Sequence, residues 1–87
     1  MVKQVYSIQD VKVSMYYPPM LLKNDAEARR MLTDVVADSQ TPISKYPEDF
    51  RLMRLGEFDD NSGLLSPLAT PEFVANATEC IKVSIVS

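Results

Sequence analysis

Tyr46-Pro47-Glu48-Asp49-Phe50-Arg51-Leu52-Met53-Arg54-Leu55-Gly56-Glu57-Phe58-Asp59-Asp60-Asn61-Ser62-Gly63, residues 46–63, is the stretch whose reading decides the fold. It reads as one strand and a turn. Phe50 and Leu52 alternate with Met53 and Leu55, so both faces carry apolar side chains, as in a strand inside a small sheet. Asp59-Asp60-Asn61-Ser62-Gly63 then gathers residues that tolerate left-handed backbone angles and fold side-chain oxygens onto local amides. A hairpin follows, with Leu64 and Leu65 starting the return strand.

Upstream, Val5, Tyr6 and Ile8 have a β-favouring composition, and Val11, Val13, Met15 and Tyr17 alternate with Lys12, Ser14 and Tyr16. The apolar face shifts from even to odd positions at Gln9-Asp10. That shift means a bulge in one long strand or a tight turn between two; the bulge is preferred, because Gln9-Asp10 lacks glycine. Pro18-Pro19 cannot donate backbone hydrogen bonds and ends the ladder. Asn24 then caps a helix, with Asp25 and Glu27 in its first turn and Ala28, Met31, Leu32, Val35 and Val36 as its buried stripe. The helix stops near Asp38, and residues 39–48 read as a loop.

Downstream, Ser66-Pro67 is expected to close the return strand. Thr70-Pro71-Glu72 has the cap and first-turn proline of a second helix, burying Phe73, Val74 and Ala77 and ending by about Glu79. Ile81, Val83 and Ile85 alternate with Lys82 and Ser84 as a final strand. The resulting order is strand, helix, strand, strand, helix, strand in a single domain over residues 1–87. That is an α+β class with an antiparallel sheet and two helices, ferredoxin-like βαββαβ being preferred and an OB-like barrel the alternative.

The chain has 87 residues and a net charge of −3, with one cysteine and no histidine. Cys80 has no internal disulfide partner, and a usual zinc site cannot be assembled. No signal peptide or membrane span is visible, so a soluble protein of a reducing cytoplasm is expected. A chain this short buries a modest core, which a homodimer or higher homo-oligomer would enlarge. Charge is uneven: residues 1–30 balance at plus two and residues 31–87 at minus five. A surface facing nucleic acid therefore belongs to the first third.

No catalytic constellation, cofactor motif or metal set emerges, and no enzyme is expected. Asp59-x-Asn61-x-Gly63 fails as a calcium loop, because the later ligand positions fall on Gly63, Leu64 and Thr70. The binding candidates are Lys12, Tyr16, Lys23, Arg29 and Arg30, with Tyr17 beside them. Tyrosines offer bases a stacking surface and the cations neutralise phosphates, the combination of a single-strand groove. The structural alternative places Tyr17 in the core, Tyr16 at the Pro-Pro turn, and Arg29 and Arg30 on a solvated helix face, with Arg30 paired to Asp34.

Three motifs in order, Asn24-Asp25-Ala26-Glu27-Ala28, Pro47-Glu48-Asp49-Phe50, and the run from Leu55 to Gly63, resemble the small non-structural protein of gokushovirus-type microviruses, which are single-stranded-DNA phages. The early Val-Tyr-Ser-Ile strand and Pro18-Pro19 extend the resemblance over residues 4 to about 75. It implies a non-structural protein of the host cytoplasm that binds single-stranded DNA in viral replication or packaging, alone or with viral replication or packaging proteins. It transfers no individual site residue. The rival expectation is an acidic interaction or assembly module that docks a viral or host protein through an exposed strand edge.

Overall fold

The computed structural model describes residues 1–81. Strand β1 (Val2–Asp10) is the centre of an antiparallel sheet. On one side it pairs with β4 (Phe50–Asp59), which pairs in turn with β5 (Leu64–Asn76). On its other side lie two short strands end to end, β2 (Met15–Tyr16) against Gln9 and Asp10, and β3 (Met20–Leu22) against Gln4 to Tyr6. Helix α1 (Asp25–Ala37) and the one-turn α2 (Pro42–Lys45) lie on one face. The fold is a small α+β domain with an antiparallel sheet, as the residue pattern implies.

The element order departs from βαββαβ in three places. Residues 11–14 form a turn rather than part of a bulged strand. Asp10 supplies what glycine does not: its Oδ1 accepts from the amides of Lys12 (3.0 Å) and Val13 (3.4 Å), and Ser14 takes a positive φ of 56°. Val11, Val13 and Met15, expected on an apolar face, are exposed instead. Residues 39–48 are not a loop throughout. Thr41 caps α2 by accepting from the Ser44 amide, Pro42 takes the first helical position, and Pro47–Asp49 make a 3-10 turn. The expected second helix is strand: β5 runs through Ser66-Pro67 and Thr70-Pro71-Glu72 to Asn76, and only Ala77–Cys80 coils, as a 3-10 turn capped by Asn76. Thr70 and Pro71 have no β4 partner themselves, but pairing with β4 resumes at Glu72 and outweighs the local helix signal, and an edge strand tolerates prolines because their missing donors face outward. The expected final strand lies outside the described residues beyond Ile81.

The core sits between the sheet and α1. Tyr6 and Ile8 of β1, Phe50 and Leu52 of β4 and Val74 and Ala75 of β5 meet Ala28, Leu32 and Val36 of α1, with Ile43, Ala77 and Cys80 closing the ends. A bulge lets β5 supply two consecutive core residues: Leu52 faces Ala75 and Met53 faces Phe73, leaving Val74 as the extra one. Asn24 caps α1 by accepting from the Glu27 amide at 2.9 Å, and the helix ends at Asp38, both as expected. Pro18-Pro19 interrupt the outer edge between β2 and β3. The buried Ser7 hydroxyl donates to the Tyr17 carbonyl at 2.6 Å, and the Tyr17 amide donates to the Ile8 carbonyl at 2.9 Å, so the gap is bridged.

Candidate binding face

Period-2 alternation assigns every strand residue to a side. Tyr6, Ile8, Phe50, Leu52 and Ala75 face the helices. Their neighbours Lys3, Val5, Ser7, Gln9, Arg51 and Met53 therefore face the other way, where no helix lies among the described residues, although Val5, Ser7 and Met53 are buried there. Cross-strand partners in an antiparallel ladder share a face. Register accordingly sets Tyr16, Gln9, Arg51 and Asn76 in one row across all four strands of the path, and Ser7, Met53 and Phe73 in the next. Arg51 Nε donates to Gln9 Oε1 at 2.7 Å, confirming that these two side chains stand together.

The chemistry of this half-face is an aromatic ring at each side with a guanidinium between. Tyr16 is 40% exposed and Phe73 53% exposed. Arg51 leans on a neutral amide, so its positive charge is not cancelled. Arg54 differs: on the helix side it is bound to Gln4 (2.6 Å) and forms an ion pair with Glu72 at 3.2 Å. Lys12 sits in the turn beyond Asp10, at the rim of the row that holds Tyr16.

The five residues singled out from sequence do not come to one place. Lys12 and Tyr16 lie at the Asp10 end of β1. Lys23 follows Leu22, which pairs with Gln4, and so stands at the opposite end, about 20 Å away at ~3.3 Å per strand residue. Arg29 and Arg30 are on α1, on the other side of the sheet from Tyr16. Arg29 donates to the Val74 carbonyl at 2.8 Å, which ties helix to strand. Tyr17 is half-exposed at the sheet edge, its ring edge-on to Phe50 at 6.0 Å. Arg51 and Phe73 were missed by sequence reading. Arg51 was absorbed into an apolar strand and Phe73 into a helix core, and only the register of β5 brings them together.

The other half of the same face is apolar but for Lys3. Lys3, Phe58 and Leu65 form one row and Leu21, Val5, Gly56 and Pro67 the next. A hollow of about 250 Å³ lies beside Gly56, lined also by Val5, Leu55, Glu57, Leu65, Ser66 and Pro67. Among the described residues no three His, Cys, Asp or Glu side chains gather as a metal site, and no helix is long and apolar enough to cross a membrane.

A small α+β protein with its helices on one side of an antiparallel sheet is the class that the fold defines. The chain belongs to the phage ORF5 protein family, whose model it matches over residues 3–80. No curated protein and no solved structure matches it.

Proposed function

We propose that this phage protein is non-structural, works in the host cytoplasm, and binds single-stranded viral DNA during replication or packaging. The observation that carries the reading is the row Tyr16, Gln9, Arg51 with Phe73 beside it, on a face no helix covers. Exposed rings give bases a sequence-tolerant stacking surface, and an uncancelled guanidinium with Lys12 at the rim meets the backbone phosphates. The net charge of −3 fits a contact that relies on stacking more than on counterion release. The rival strand-edge module draws less support, because both described edges carry prolines: Pro18 and Pro19 between β2 and β3, Pro67 and Pro71 in β5.

The test is an anisotropy titration of a fluorescent single strand of about 30 nucleotides at two salt concentrations. Two phosphate contacts give a log–log salt slope of about −1.4, far shallower than that of a basic groove. Replacing Tyr16 or Phe73 with alanine should weaken binding by about 1–3 kcal/mol each. Arg51→Ala should flatten the salt slope. The double change Arg29→Ala, Arg30→Ala places the contact on the helix side if it proves as damaging as the ring substitutions. Absence of binding at low salt sinks the proposal for the isolated protein.

A further inference from the structure

Two cations stand together at the end of β1 opposite to Tyr16. We infer that Lys3 and Lys23 form a second phosphate-binding site with the ring of Phe58 beside it, a site that presupposes the DNA contact proposed above and extends it along β1.

Register brings the two lysines together. Gln4 pairs with Leu22 in an antiparallel ladder, so one step further along Lys23 arrives opposite Lys3. Both line a hollow of about 200 Å³ whose apolar walls include Val2, Leu21 and Leu22. Like charges set opposite each other repel, and among the described residues neither lysine has an ion-pair partner. Glu27, at the same hollow, is exposed and in ion-pair contact with neither. Two apposed cations with no anion between them are complementary to a phosphate, whose oxygens accept from both ammonium groups.

The acids at this end are turned away or occupied. Glu57 lies opposite Gln4 and Asp59 opposite Val2, so alternation puts both on the helix side, away from Lys3. Asp25 accepts from the Tyr6 hydroxyl, and Asp60 pairs with the N-terminal ammonium at 2.7 Å. Phe58 is the cross-strand partner of Lys3 and shares its face, half-buried. A ring beside two cations offers one nucleotide both a stacking surface and a phosphate partner. From Lys3 to Gln9 the distance along β1 is about 20 Å at ~3.3 Å per residue, which about six nucleotides span at a stacked spacing of ~3.4 Å.

Four phosphate contacts, these two with Arg51 and Lys12, give a log–log salt slope of about −2.8, against about −1.4 for Arg51 and Lys12 alone. In the anisotropy titration with a strand of about 30 nucleotides, Lys3→Gln or Lys23→Gln should bring the slope to about −2.1 and the double variant to about −1.4. Lys45→Gln, at the end of α2 on the helix side, should leave it unchanged. Removing one of two apposed cations relieves repulsion, so each single variant should also raise the urea midpoint of the free protein. Lys23 is exposed, and its variant carries the test should Lys3→Gln fail to fold. A wild-type slope near −1.4, untouched by either substitution, overturns the site while leaving the contact at Tyr16 and Arg51 standing; absence of binding at low salt overturns both. A lowered urea midpoint overturns the site too, because it ties the lysines to an acid of the protein itself. So does an effect of Lys45→Gln as large as that of Lys23→Gln, which would spread the salt dependence over all surface cations.

Discussion

Tyr6 ties the two layers together. Its ring is fully buried in the core while its hydroxyl donates to Asp25 Oδ1 at 2.5 Å, in the first turn of α1. Burial, then the Asp25 hydrogen bond and charge, raise the phenol pKa well above its ordinary value of 10. A raised folded-state value means that this contribution is fully present below the unfolded pKa, near 10, and is lost as pH rises beyond it. Tyr6→Phe should cost about 1.5–3 kcal/mol at neutral pH, the range for a hydrogen bond to a charged group. In urea melts the gap between wild type and variant should narrow above about pH 10; a constant gap would show that the hydroxyl is not coupled to folding. Asp59 is the opposite case. The Asn61 amide, followed by the Ser62 contacts, holds its carboxyl below the usual 3.8, so its contribution to the turn is present above that value and lost only as pH falls through the lower folded one. Its carboxyl resonance should titrate with a midpoint below that of an aspartate model peptide. Neither long-range partner of Tyr6 nor the bridge from Ser7 to Tyr17 was legible in sequence, because both join residues that only the fold brings together. The Asn24 cap and the Asp59 turn were legible, because each side chain there bonds an amide two or three residues away.

At the scale of elements, one dipeptide shows where local reading stops. Thr-Pro occurs twice. At Thr41-Pro42 it starts a helix that sequence reading left as loop; at Thr70-Pro71 it lies in a strand that sequence reading made a helix. The same cap-and-proline signal is present at both, and what differs is whether a strand lies alongside: residues 72–76 find β4, and residues 42–45 have no such neighbour. The β4–β5 hairpin also sets two glycines apart by cause. A Cβ on Gly56 would sit 2.4 Å from the Ser66 carbonyl oxygen and 2.9 Å from Pro67 Cα, both backbone atoms of the paired strand. Gly63 has open space but a φ of +76°. Gly56→Ala should therefore destabilise by about 1–3 kcal/mol through overpacking, whereas Gly63→Ala should cost about 1–2 kcal/mol through backbone strain alone. Asparagine tolerates the left-handed region, so Gly63→Asn should recover much of that loss while Gly56→Asn recovers none. Urea midpoints of the four variants check this, and equal responses at the two sites would remove the close-packing account of Gly56.

At the scale of the molecule, helices and core cover only the half of the sheet that holds Ile8, Leu52 and Ala75. The class and the antiparallel sheet were legible from alternation and turn chemistry, but this lopsidedness was not, because it follows from β5 running on past Pro67 instead of folding back as a helix. Stability should follow the same division, since local opening is least costly where few apolar contacts must be broken. Leu52→Ala, at a fully buried position, should lose about 2–5 kcal/mol, whereas Phe73→Ala on the open face should lose far less. Amide exchange should then show a gradient along β4, slowest at Leu52 and faster at Phe58. Equal protection at Leu52 and Phe58 would show instead that the hairpin opens only with the core, and that the two halves of the sheet form one cooperative unit.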